Sequence, residues 1–298
     1  MEDRRAYLFV NAATLLWSGN VVLGRFLRHA VGPWTLAGLR AAVASCLFLW
    51  LLRRRRGAGG AAGRREWLLA LAMALTGVVG FQVLVYAGLR HTTALNAGIM
   101  NATGPLITLW LSRVLLSQGL RPRQVVGALL SLVGVGVVVS GASWEALRTF
   151  RFNPGDVLVL AAVLLWGLYS VAGRLALRTQ STLWVAGVST VAAVPLLAGP
   201  AALEWWAAPP SWNLGRVLAV LYIGVGPSFL AFLAWNEGVR RIGPTGAMAF
   251  YNTLPLYTGL LGAAALGEWP GAGQILGGAL VVAGCLLAAV GPPPRPAA

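Results

Sequence analysis

The chain has 298 residues, of which 58% are hydrophobic and only 10% charged, against roughly 25% charged in an ordinary soluble domain. Its formal charge of +15 would suit a nucleic-acid binder, but the basic residues lie in short clusters between apolar runs of about 20 residues, the length that crosses a bilayer. A water-soluble enzyme, a nucleic-acid-binding protein and a disordered chain are thereby excluded, and the sequence reads as a polytopic membrane protein.

Ten apolar segments follow in chain order, at 6–27, 33–52, 67–88, 93–116, 123–141, 155–176, 181–201, 215–237, 244–266 and 271–291. They are continuous rather than alternating, so helices are expected and barrel strands are not. The first run follows Arg4 and Arg5 as a signal peptide would, but it has no small-residue cleavage site and is read as a retained helix. Cys46 and Cys285 fall inside apolar runs and are expected to be buried, reduced small hydrophobes. The ending GPPPRPAA gives a brief tail over 292–298.

All 23 basic residues are arginine. With a cytoplasmic N-terminus, 16 of the 23 fall on the inner side, as the positive-inside rule requires. The run RRRRGAGGAAGRR is the strongest anchor. Ten helices then place both termini in the cytoplasm, in a plasma (inner) membrane.

The two halves of the chain align with each other. LLWSGNVVLGR at 15–25 matches LLWGLYSVAGR at 164–174 with a shift of 149. At a shift of 150, Gly88 falls on Gly238, Arg90 on Arg240, Pro105 on Pro255, Gln124 on Gln274, Gly127 on Gly277 and Gly134 on Gly284. Each half therefore holds five helices, over 1–141 and 155–291, joined by an external linker at 142–154. Because five is odd, the second half enters the membrane from the opposite side. The expected fold is all-α, with ten transmembrane helices as two inverted five-helix repeats, an architecture used by transporters.

These stretches resemble a known family. LLWSGN, WTLAGLR, TTALNAGIMNATGPLITLWLS and RRIGPTGAMAFYNTLPLYTGLLGAAALGEWPGAGQILGGALVVAG look like the EamA-type metabolite exporters of the drug/metabolite transporter superfamily, over nearly the whole chain. Within that superfamily the overall look is nearest to bacterial aromatic amino-acid exporters, which implies amino acids, aromatic ones included, as cargo. One departure stands out: the first repeat has Ser117-Gln118 where the second has Gly267-Glu268, so the loop acid occurs once.

A path through the bilayer needs polar or aromatic groups at mid-depth facing the bundle interior. The first helix offers Trp17, Ser18 and Asn20, the third Gln82 and Tyr86, the sixth Trp166, Tyr169 and Ser170, and the eighth Trp235 and Asn236. On the fourth, Asn96, Met100, Thr103, Ile107 and Trp110 share one face. The matching face of the ninth carries Gly246, Phe250, Thr253, Tyr257 and Leu260. They suggest a substrate cavity lined by rings, amides and hydroxyls, though interhelical packing uses the same residue types. Pro105 and Pro255 should kink their helices near the middle, as gate hinges or as static bends. The glycine-rich fifth and tenth helices are expected to pack on each other or in a dimer contact.

Arg40 is the one charge expected within a span, where isolation would cost about 2.5–3.5 kcal/mol. It either snorkels outward or faces the pore, where it could meet a substrate carboxylate. The acids Glu2, Asp3, Glu66, Glu145, Asp156, Glu204, Glu237 and Glu268 all lie at or near helix ends, which disfavours proton exchange through a mid-membrane carboxylate. His29 and His91 are expected in external loops. No nucleotide-binding loop occurs, and no residue cluster calls for a metal or cofactor or would serve a membrane-embedded enzyme. The expectation is a secondary carrier exporting small amphiphilic metabolites by alternating access, in contact with membrane lipid, as a monomer or homodimer. Export of lipophilic or quaternary-ammonium cations, or of other metabolites, is the alternative on the same fold.

Overall fold

Apolar runs of this length leave the backbone no water to bond with, so each segment closes its own hydrogen bonds. The computed structural model describes residues 4–55, 62–101, 103–116, 122–140, 153–238, 241, 251 and 253–289. Among these every regular element is a helix. They are α1 (Arg4–Leu27), α2 (Pro33–Arg54), α3 (Arg64–Gly88), α4 (Ala94–Asn101), α5 (Gly104–Leu116), α6 (Pro122–Ser140), α7 (Pro154–Ala176), α8 (Thr182–Ala207), α9 (Leu214–Gly238), α10 (Leu254–Leu266) and α11 (Ala272–Ala289). Six of them, α1, α2, α3, α7, α8 and α9, are long and apolar enough to cross a membrane. The linker expected at 142–154, apart from its last two residues, and the tail at 292–298 lie outside the described residues.

The expected fourth span is two helices. Pro105 brings no N–H, so the carbonyl one turn before it loses its donor, and the chain breaks ahead of Gly104. The break is stitched by short bonds: Thr103 N donates to Met100 O at 3.1 Å, and Thr103 Oγ1 donates to the same carbonyl at 2.7 Å. In the second repeat, 150 residues later, Thr253 is again a turn residue and Pro255 stands in the first turn of α10.

A second matched irregularity was not expected. α3 contains a π turn at Ala74–Gly80 and α9 another at Gly226–Leu230. In α3 the i→i−5 bond runs from Phe81 N to Thr76 O, and in α9 from Ala231 N to Gly226 O, again 150 apart. In α9 the cause is visible. Pro227 cannot donate to the carbonyl of Ile223, and Ser228 Oγ donates to it instead at 2.6 Å.

Equivalent helices of the two halves pack in opposite directions. α2 lies along α8, with Thr35 beside Ala201 and Gly187 beside Phe48. α6 crosses α11 at two glycine pairs, Gly134 with Gly277 and Gly127 with Gly284, so the expected mutual packing of these helices is internal to the chain. A Cβ added to Gly277 would sit 2.6 Å from the carbonyl oxygen of Gly134, and only backbone separation could relieve it. Gly277→Val is therefore expected to lower stability by about 3 kcal/mol, read as a fall in the melting temperature of the purified protein.

The outer surface is apolar where a soluble protein's would be polar: Leu132 is 67% exposed, Leu203 75% and Trp206 89%. Cys46 corrects the sequence expectation, being exposed on this outer face rather than buried, while the side chain of Cys285 lies outside the description. His29 and His91 are exposed, as expected of loop residues.

Candidate functional site

Trp17 of α1 is the hub of an aromatic cage at the junction of the two halves. Its ring centroid lies 6.0 Å from that of Trp166, 5.9 Å from Phe232, 5.2 Å from Trp235 and 5.8 Å from Tyr251. Trp166 stacks on Tyr169 at 4.8 Å and 17° and meets Phe81 at 5.1 Å. Trp17 Nε1 donates to Pro227 O at 3.1 Å, so the π turn of α9 also orients the central ring. Tyr169 comes close because Gly77, in the π turn of α3, has no side chain to obstruct it.

The rings enclose a cavity of about 30 Å³ lined by Trp17, Asn20, Val21, Phe81, Gln82, Val85, Asn101, Trp166, Phe232, Tyr251 and Leu254. That volume holds roughly two waters. The substrate cavity expected from the sequence is thus small, because the indoles and phenols fill the middle. A larger furrow of about 430 Å³ runs past Cys46, Leu49, Trp50, Arg53 and Arg54; a single helix lines it, so it encloses nothing.

Beside the cavity lies a buried polar network. Arg40 Nε donates to Ser228 Oγ at 2.7 Å, and its Nη1 donates to Gln82 Oε1 and to Tyr86 OH, the latter at 2.9 Å. Tyr86 OH in turn donates to Asn20 Oδ1 at 2.7 Å. Arg40 therefore does not snorkel; it is 3% exposed, deep among α2, α3 and α9. Gln82 and Tyr86 follow one π turn and Ser228 lies within the other, an arrangement consistent with π turns marking functional positions.

A third cluster closes the end of the bundle where α1 stops and α4 starts. Gly267 adopts φ +68° at the end of α10, a conformation open to glycine at little cost. The turn brings Glu268 back over α4. One carboxylate oxygen accepts from Arg25 Nε at 2.8 Å and the other from Ala94 N at 2.9 Å. Nearby, Asp156 is 1% exposed and accepts from Thr92 Oγ1 and, at 3.5 Å, from Asn96 Nδ2. Gln274 Nε2 donates to Asn96 Oδ1 at 2.7 Å. Asp156 thus lies near a helix end as expected, yet it is buried, which the sequence did not reveal.

Of the residues singled out from the sequence, Trp17, Asn20, Gln82 and Trp166 line the cavity, while Tyr169 and Trp235 stand in the ring cluster around it. Arg40 and Tyr86 form the network behind it. The fourth-helix face does not hold together. Met100 is fully buried and Trp110 is 56% exposed, Asn96 belongs to the end cluster, and Thr103 stitches the break. The helical period cannot run across the break to Thr103, Ile107 and Trp110; ahead of it, on α4, Asn101 lines the cavity. Tyr257 donates to Asn11 Oδ1 at 2.6 Å and Thr253 stands at the N-cap position of α10 without capping it through its side chain; neither is among the residues that line the cavity. Phe250 and Gly246 lie outside the described residues. Tyr251, Phe81 and Phe232 were missed. For Phe232 the signal was available, since it stands 150 residues after Gln82.

Comparison with known proteins fits this geometry. The model of the EamA-like transporter family matches the chain twice, over residues 4–140 and 153–290. The uncharacterized transporter YyaM of Bacillus subtilis is 24% identical, over 97% of this chain and 94% of its own. The aromatic amino acid exporter YddG of Ancylobacter novellus is 28% identical over 81% and 82%. A probable terminal-alkyne amino-acid exporter of Streptantibioticus cattleyicolor is 28% identical over 71% and 69%. A solved crystal structure superposes with a TM-score of 0.66 at 27% identity, covering 97% of this chain and 99% of that one.

Proposed function

The chain belongs to the EamA-like transporter family, and from that premise we propose that it is a secondary carrier exporting small amphiphilic metabolites, foremost amino acids with apolar or aromatic side chains. The observation that carries this reading is the cage itself: aromatic rings together with the amides of Asn20, Gln82 and Asn101 around one cavity, at the junction of the two halves. Aromatic rings stack the apolar body of the cargo, and Asn20, Gln82 and Asn101 bond its polar end. The named exporters among the relatives carry amino acids, which supports the same cargo class here.

Alternating access rests on two inverted five-helix repeats, residues 1–141 and 155–291. The antiparallel packing of α2 with α8 and of α6 with α11 supports the inversion. The matched turns before Pro105 and Pro255 then act as gate hinges, and opening them enlarges the cavity. Both termini lie in the cytoplasm, and the membrane is the plasma (inner) membrane.

The test is flux in proteoliposomes loaded with labelled phenylalanine. We expect exchange in the absence of an imposed pH gradient, and competition by tryptophan and phenylalanine but not by a cationic dye. Strict dependence on a pH gradient overturns the facilitated mechanism, and competition by the dye alone overturns the cargo class.

A further inference from the structure

Arg40 is a buried cation without a counter-charge among the described residues. Its side chain meets Ser228, Gln82 and Tyr86, all neutral. Each described carboxylate is engaged elsewhere: Glu66 with Gly63 N, Asp156 with Thr92, Glu204 with Thr35 N, Glu237 with Arg241, and Glu268 with Arg25. Withdrawing a guanidinium from water costs several kcal/mol unless an anion meets it. Arg40 Nη2 moreover donates to nothing among the described residues.

The network's polarity points the same way. Arginine only donates, so Gln82 must present its oxygen to Arg40. Tyr86 OH accepts from Arg40 and so donates onward, which fixes the atom it meets on Asn20 as the oxygen. Both amides line the cavity, and with their oxygens taken their NH2 groups are what remains for a ligand. On the Arg40 side the unspent groups are donors, Arg40 Nη2, Gln82 Nε2 and Asn20 Nδ2, whereas the third lining amide, Asn101, spends its Nδ2 on Ala97 O at 2.8 Å and keeps its oxygen for a ligand's ammonium. The symmetry-related position 150 residues after Arg40 is Thr190, whose Oγ1 donates to Ala186 O at 2.7 Å. Arg40 does not itself line the cavity, but it bonds Gln82, which does, and through Tyr86 it is linked to Asn20, which does too.

We propose that Arg40 is the charge-selecting residue of this cavity, receiving the carboxylate of the cargo with Gln82 and Asn20 as flanking donors. The cavity then takes carboxylates borne on an apolar or aromatic body and rejects cations of the same shape. The inference rests on the transport reading only in taking the cavity as the cargo site.

The experiment uses the purified full chain and three probes of one shape: 3-phenylpropionate, phenylalanine and phenylalanine amide. Thermal stabilisation is titrated with each, and with chloride. The two acids are expected to act at concentrations about 10- to 100-fold below the amide, the range for hydrogen bonds to a charged group. Arg40→Gln should erase the difference and Arg40→Lys should keep part of it. Equal action of acids and amide on the native chain overturns the proposal, as does stabilisation by neither acid, or by chloride at the level of the acids. Should Arg40→Gln fail to fold, the ranking on the native chain decides alone. Stabilisation by phenylpropionate but not phenylalanine overturns the amino-acid reading and keeps this one; phenylalanine flux with no acid-over-amide preference does the reverse.

Discussion

Replacing Trp17 by alanine is expected to abolish carriage of aromatic cargo and to destabilise the fold by about 3–5 kcal/mol, the range for truncating a buried aromatic. The residue is 8% exposed and its indole meets four other rings. It also donates to Pro227 O, so its loss leaves that carbonyl unpaired in a place water barely reaches. Trp17→Phe separates the two contributions. It keeps ring contact and forfeits the bond, at about 1 kcal/mol, and should retain partial flux of phenylalanine in proteoliposomes. Wild-type flux and melting temperature in Trp17→Ala would show that the cage is packing alone.

Glu268→Gln is expected to loosen the end of the bundle where α1 meets α4. Glu268 holds Arg25 and the first amide of α4 at once, and the carboxylate also suits the positive end of a helix. Neutralising it removes about 1–2 kcal/mol, enough to shift a closed–open equilibrium some 5- to 30-fold. The readout is alkylation from outside intact cells, by a membrane-impermeant maleimide, of a cysteine introduced at Val21 in a chain with Cys46 and Cys285 replaced by serine. Val21 lines the cavity. Arg25→Gln should accelerate labelling similarly, and the double variant should be no faster than either single one, as expected for two partners in one bond. Unchanged labelling in both single variants rejects the latch. The equivalent position in the first repeat is Gln118, so the sequence provides this acid at one end only.

Features governed by local chemistry were legible in the sequence. Spans of the right length, the matched Pro105 and Pro255, and the glycine spacing of α6 and α11 all specify their structure through steric rules that need no tertiary knowledge. The cavity residues were half legible. Trp17 and Trp166 could be read from the repeat, but the fourth-helix face was projected straight through a helix that breaks, and within α4 it is Asn101 rather than its neighbour Met100 that lines the cavity. The π turns were hidden because their cause is distributed. In α9 it is a proline together with a serine that repairs the lost bond, and in α3 no single residue announces the turn. Asp156 looked like an ordinary first-turn acid of α7, and only the chain bearing Thr92 and Asn96, distant in sequence, buries it.

The crossing of α6 and α11 has a mechanical consequence. Two glycine pairs put backbone against backbone there, and Ser131 Oγ donates across the crossing to Val281 O at 3.0 Å. Backbones in such contact cannot slide without colliding, although the pair can tilt as one unit about the line along which they touch. If access alternates as proposed, the crossing is the expected fulcrum, with displacement of the halves growing with distance from it.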